Sequence, residues 1–165
     1  MNVYGIVGWK NSGKTTLVER LVTEITVRGF TVSTVKHAHH AFDVDHEGKD
    51  SFRHRAAGAQ EVLLASRNRW ALMHEIREDV EPSLSALLEK LAPVDLVLIE
   101  GYKREGHAKI EAHRAETKQG LLAVEDPTVT AVASNYVVDG LSVPQFDLDD
   151  VKAIANYILK EVGLE

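Results

Sequence analysis

The sequence predicts an α/β fold: a mostly parallel β-sheet flanked by helices, with an added β-hairpin. Three observations carry that expectation. Strand-like and helix-like runs alternate along most of the chain, which is the pattern of strands joined by crossover helices. Val94–Ile99 (VDLVLI) is almost wholly apolar, as a strand covered on both faces must be. The glycine-rich stretch GWKNSGKT, Gly8 to Thr15, stands between a strand-like run and a helix-like one.

The elements follow in order. Asn2–Val7 reads as a short buried strand. From Lys14 to Arg28, Leu17, Leu21 and Ile25 recur every fourth position with Val18 and Val22 beside them; that is one helical face, closed by Gly29. Phe30–Lys36 is β-branched and alternating, so a second strand is expected. His37–Gly58 is polar and dense in His and Asp, and its second half (DSFRHRAAGA) suits a short helix. Glu61–Ser66 and Arg69–His74 form the expected hairpin. Glu81–Leu91, with Pro82 in its first turn and Leu84, Leu87, Leu88 and Leu91 on one side, predicts a helix. Lys109–His113, Leu121–Glu125 and Thr128–Ser134 read as further strands, and Asp149–Val162 as a closing helix. No repeat or low-complexity linker interrupts this order, so one domain over residues 1–165 is expected.

Composition narrows the function. The net charge of −6 argues against general nucleic-acid binding, which calls for a basic surface. No run is long enough to span a membrane, and no basic-then-apolar leader opens the chain. Cysteine is absent, which removes disulfides and thiolate-bound zinc and fits a cytoplasmic location.

Gly8-x-x-x-x-Gly13-Lys14-Thr15 matches the Walker A pattern at all four fixed positions. Each has a physical reason. The glycines let the backbone curl until successive N–H groups face one anion. The helix beginning near Gly13 adds its uncapped N–H groups and the positive end of its dipole. Lys14 is placed to reach the β- and γ-phosphates, Thr15 to ligate Mg²⁺, and Lys10 to add a second positive charge. The motif refines the expectation to a three-layer P-loop NTPase fold.

A P-loop needs a carboxylate near its metal. VDLVLIEG supplies Glu100 at a strand end and Asp95 at the start. Lys36-His37-Ala38-His39-His40, followed by Asp43 and Asp45, concentrates further polar chemistry after the second strand. Three readings of that segment are open: contact with a phosphorylated ligand or its metal, which is preferred; a transition-metal site of His37, His39 and Asp45; or exposed loop residues without a role.

At this point the residues resemble a known family. VKHAHHAFDVDHEGKDSFRHRAAGA, ASRNRWALM and DLVLIEGYKREGHAKIEAHR, together with the P-loop, are similar to MobB, the molybdopterin-guanine dinucleotide biosynthesis adaptor family. The resemblance runs in order from Met1 to about Ser134. It implies a GTP-binding protein with at most feeble GTPase activity. Such a protein assists a separate MobA-type guanylyltransferase that joins GMP to the molybdopterin cofactor. It also implies a homodimer. Carried over by position, the phosphate-binding residues run from Gly8 through Lys10, Asn11, Ser12, Gly13, Lys14 and Thr15 to Thr16; the preferred reading of the His/Asp segment adds His37, His39 and Asp43 beside the nucleotide. The resemblance makes Asp45 and Glu100 the metal-side acids, beside the Thr15 hydroxyl already expected there. No Asn-Lys-x-Asp element is present, although Ser134-Asn135 ends a strand where a base would sit; guanine preference is therefore implied by the resemblance alone. Two rival classes remain: a small-molecule kinase recruiting Arg53, Arg55 and Arg104, and a metal-delivery protein using the histidines.

Overall fold

Six parallel strands make the principal sheet of the computed structural model, which describes residues 1–38 and 42–165. In chain order they are β1 (Asn2–Val7), β2 (Val32–Lys36), β5 (Leu96–Glu100), β6 (Lys109–His113), β7 (Val129–Ser134) and β8 (Gln145–Asp147). Their spatial order is β2-β5-β1-β6-β7-β8. β1 therefore lies between β5 and β6, with Ile6 opposite Glu100 on one side and Val7 opposite Glu111 on the other. The helices α1 (Lys14–Val27) and α4 (Val151–Glu161) supply apolar faces to the core. Leu17, Leu21, Ile25, Ile154, Ile158 and Leu159 pack with Tyr4, Ile6, Leu98 and Ile110, all at most 1% exposed. Each such side chain contributes about 1.5–3 kcal/mol by leaving water.

The sequence reads as one domain, and the chain groups into two compact units: Met1–His37 with Leu91–Glu165, and Ala38–Lys90. The second unit holds α2 (Asp50–Ala56), the antiparallel hairpin β3 (Glu61–Ala65) and β4 (Trp70–His74), and α3 (Leu84–Leu88). On the hairpin Val62 and Met73 are buried, while Leu63, Trp70 and Leu72 lie open.

Several expectations are corrected. Leu121–Glu125 is not a strand: it holds a 3₁₀ turn at Leu122–Val124. Both edges of β6 are already taken by β1 and β7, and the Ala123 N–H goes to the Glu111 carboxylate at 3.0 Å instead of to a ladder. The helix expected from Glu81 begins only after Ser83, whose hydroxyl accepts from the Ala86 N–H at 3.3 Å, and is five residues long. β2 starts two residues later than expected because Thr31 is tied to Asp95. That carboxylate accepts from the Thr31 N–H at 2.7 Å and from its hydroxyl at 2.6 Å, which holds the Asp95 carboxyl below its usual range. β8 was not anticipated; three residues are too few to show an alternating pattern.

Candidate functional site

The P-loop occupies the turn from the end of β1 to the start of α1, at the C-terminal edge of the sheet. Its backbone needs unusual dihedrals: Gly8 has φ 142°, Asn11 65° and Gly13 94°. Only glycine fits at Gly8, because a Cβ there would lie 2.3 Å from the Ala112 carbonyl oxygen and 2.6 Å from Ser12 Oγ. α1 then opens without a side-chain cap and without an acidic residue in its first turn. Its first N–H groups therefore keep their capacity for an anion.

Polar side chains converge on this turn. Lys14 Nζ donates to the Trp9 carbonyl at 2.6 Å, folding the lysine across the loop. The Thr15 hydroxyl donates to Glu100 Oε1 at 2.8 Å, and Lys36 Nζ lies 3.0 Å from the same oxygen. Burial pushes the Lys14 amine below its ordinary value; Glu100 opposes that shift, and the neighbouring cations Lys103 and Lys36 add to it. Three ammonium groups thus share a space with one carboxylate, an arrangement that a polyanion relieves. Lys103 also sits 4.4 Å above the Trp9 ring, and Trp9 Nε1 donates to the Gly120 carbonyl at 2.7 Å.

Among the expected phosphate-side residues, Ser12 is buried and its hydroxyl has no hydrogen-bond partner within the protein. Lys10 and Asn11 are exposed at the tip of the loop, and Thr16 lies in the first turn of α1. His37 follows β2: its N–H donates to the Glu100 carbonyl at 3.0 Å and its ring stacks on Tyr102 at 4.5 Å. His39 lies outside the described residues. Asp43 and Asp45 belong to the second unit, where both carboxylates are taken by Arg55: its Nη2 is 2.9 Å from Asp43 and also binds Asp45, while its Nη1 is 2.9 Å from Glu75. Arg55 further lies 5.3 Å from the Phe52 ring centroid. Asp45, expected on the metal side, thus shares the Arg55 guanidinium with Asp43 and Glu75. Among the described residues no group of three His, Asp or Glu side chains is arranged to hold a metal ion.

The Asp45–Arg55 pair has a pH signature. Hydrogen bonds from Arg55, then Ser51, hold the Asp45 carboxyl below its ordinary value. Its stabilisation of the second unit is therefore complete above the ordinary carboxylate range and is lost as pH falls through the depressed value. Protection of α2 amides against hydrogen exchange should drop over that acidic window in the wild type. In Asp45→Asn it should already be low at neutral pH; equal protection in both proteins contradicts the pairing.

The sequence names Lys36 only as the start of the polar segment after β2, without its place beside Glu100, and gives Arg114 no role. Lys36 stands opposite Glu100 in the β2–β5 register, a neighbour visible only once the strand order is known. Arg114 Nε lies 3.1 Å from the position a Cβ on Gly13 would take, beside the first turn of α1.

A glycine-built turn between the first strand and first helix of a parallel sheet, with a strand-end acid from the neighbouring strand on the helix hydroxyl, defines a P-loop α/β protein. The chain belongs to the MobB family: residues 3–135 match the model described as Molybdopterin guanine dinucleotide synthesis protein B. It is 42% identical over 154 residues to the molybdopterin-guanine dinucleotide biosynthesis adapter protein of Haemophilus influenzae, covering 93% of this chain and 85% of that one. The Escherichia coli protein of the same name is 38% identical, over 92% of this chain and 88% of its own. Its fold is similar to the crystal structure of a MobB homolog from Bacillus stearothermophilus, with a TM-score of 0.71, 29% identity and all of both chains covered.

Proposed function

We propose that this protein is a GTP-binding adapter that assists conversion of the molybdopterin cofactor to its guanine dinucleotide form, acting with a separate MobA-type guanylyltransferase in the cytoplasm. The observation that carries the nucleotide part is the Thr15–Glu100 contact of 2.8 Å, which joins the Walker A turn to the acid end of β5. The residues fit the ligand: the turn at Gly8 leaves no room for a Cβ, Ser12 Oγ is buried without a protein partner, and Thr15 with Glu100 offers hard oxygen donors. Main-chain N–H groups from Gly8 to Thr16 and the Lys14 ammonium hold the phosphates. Thr15 and Glu100 hold Mg²⁺, directly or through its waters. The metal, when bound, neutralises phosphate charge. The biosynthetic role rests on family membership and on the names of the relatives.

Presentation of GTP, with at most feeble hydrolysis, suits this geometry better than phosphoryl transfer. Glu100 Oε1 already receives the Thr15 hydroxyl and the Lys36 ammonium, so it is not free to take a proton from water. Arg55, an arginine that a kinase lid would recruit, is committed to Asp43, Asp45 and Glu75. A homodimer is part of the proposal. The hairpin residues Leu63 and Trp70, 63% and 67% exposed, offer apolar surface for a second copy.

Glu100→Gln tests the site. Titrated with GTP, the variant should lose about 10-fold of the affinity that Mg²⁺ adds, since a carboxamide is a poor Mg²⁺ partner. Metal-free binding should hold or tighten, because a negative charge beside the phosphates is gone. Equal losses with and without Mg²⁺ contradict the assignment.

A further inference from the structure

β1, β6 and β7 are neighbours, so the loops leaving their C-terminal ends stand side by side. The loop after β1 is the P-loop. The loop after β6, residues 114–120, meets it at two points. Trp9 Nε1 donates to the Gly120 carbonyl at 2.7 Å, and Arg114 lies against Gly13. Next comes a 3₁₀ turn, Ala115–Thr117, and then Lys118 with φ 54°, which sends the chain back toward Gly120. The loop after β7 begins with Asn135, which reaches across to this turn. Its Oδ1 accepts from the Ala115 N–H at 3.1 Å, and its Nδ2 stands 3.1 and 3.0 Å from the two oxygens of Glu116.

Asn135 is therefore used on both ends of its amide, and what it orients is an exposed carboxylate beside the P-loop. Backbone hydrogen bonding at Glu116, then Asn135, keeps that carboxyl below its ordinary value, so it is ionised at neutral pH. An ionised carboxylate is a pure acceptor with lone pairs to spare on both oxygens. Two parallel donors are its natural complement. Guanine presents that pair on one edge, the ring N1–H and the exocyclic N2–H. Adenine presents an unprotonated N1 and a C2–H there, so a carboxylate meets a lone pair and finds no donor.

We propose that the Glu116 carboxylate, oriented by Asn135, reads the base of the bound nucleotide by accepting from N1–H and the exocyclic N2–H, and so selects guanine over adenine. This rests on the reading that a nucleoside triphosphate binds at the P-loop. It assigns guanine selectivity to a chain without the Asn-Lys-x-Asp element. The acid comes from the loop after β6 and its orienting amide from the loop after β7.

The test titrates wild type and Glu116→Gln with Mg²⁺ and, in turn, GTP, ATP and xanthosine triphosphate. Xanthine keeps N1–H but carries a carbonyl in place of the 2-amino group, so it complements a carboxamide and repels a carboxylate. Wild type should bind GTP at least about 10-fold more tightly than ATP or xanthosine triphosphate. In Glu116→Gln, GTP affinity should fall at least about 10-fold, xanthosine triphosphate should bind at least as well as GTP, and ATP should bind no more weakly than to wild type, because the carboxamide N–H can donate to adenine N1. Retained or tighter ATP binding also reports a folded P-loop. Equal loss for all three nucleotides, or no change with any, overturns the base-reading role. Wild type binding GTP and ATP equally overturns it while leaving the P-loop reading in place. Wild type binding no triphosphate overturns both.

Discussion

Lys14→Ala should reduce GTP affinity by roughly 100-fold or more, about 3 kcal/mol, the usual loss when one charged partner of a desolvated ionic hydrogen bond is removed. The lysine stands over the loop with its ammonium on the Trp9 carbonyl, and the apolar core is formed by other residues. Its removal takes charge from the ligand and little from the fold. Thermal unfolding should therefore stay within a few degrees of wild type, about what a surface substitution causes. It should even rise slightly: burial and the ammonium groups of Lys36 and Lys103 already disfavour the Lys14 charge in the free protein. Isothermal titration with GTP and a melting curve check both halves. Wild-type affinity, or collapse of the fold, contradicts this account of the site.

Gly8→Ala is the second large effect, and it works through shape. The new methyl would enter at 2.3 Å from the Ala112 carbonyl oxygen, with φ 142° already outside the range open to alanine. Ala112 cannot retreat, because it lies in the middle of β6 between β1 and β7. The turn must shift instead. Backbone strain alone costs about 1–3 kcal/mol. The variant should unfold at lower denaturant and bind no GTP measurably, because the N–H groups no longer point at one anion. Wild-type binding by Gly8→Ala contradicts the view that the turn is built around a close backbone approach.

The two substitutions also separate what the sequence makes legible from what it hides. The P-loop is legible because all its requirements are local: eight consecutive residues after a strand fix the glycines, the lysine and the hydroxyl. α1 and α4 are legible from apolar residues recurring near every fourth position, and β1 and β5 from short, nearly continuous apolar runs. Partner choice is hidden. Asp43 and Asp45 look like polar loop residues independent of Arg55 on the short helix that follows, and only the turn between them brings the guanidinium onto both carboxylates. Asp95 resembles a candidate acid and is spent on Thr31, 64 residues away in sequence.

β6 shows the same limit more sharply. KIEAH alternates in the manner of a strand with one wet face, yet Lys109, Glu111 and His113 are all at most 2% exposed. The Lys109 ammonium donates to the Glu105 carbonyl at 2.6 Å, and the turn at Leu122–Val124 gives its Ala123 N–H to Glu111. A sequence pattern cannot foretell that a later loop will cover charged residues, because the covering segment has no period of its own. The same holds for Glu116 and Asn135, whose pairing depends on β6 and β7 being neighbours.

The turn from Gly8 to Thr16 is proposed to hold the triphosphate of a guanine nucleotide. A crystal structure grown with Mg²⁺ and a non-hydrolysable GTP analogue tests it most directly. The β- and γ-phosphates should lie on the main-chain N–H groups of that turn, with Lys14 turned from the Trp9 carbonyl onto their oxygens and Thr15 on the metal. An analogue bound elsewhere, with Lys14 still donating to Trp9, would contradict it.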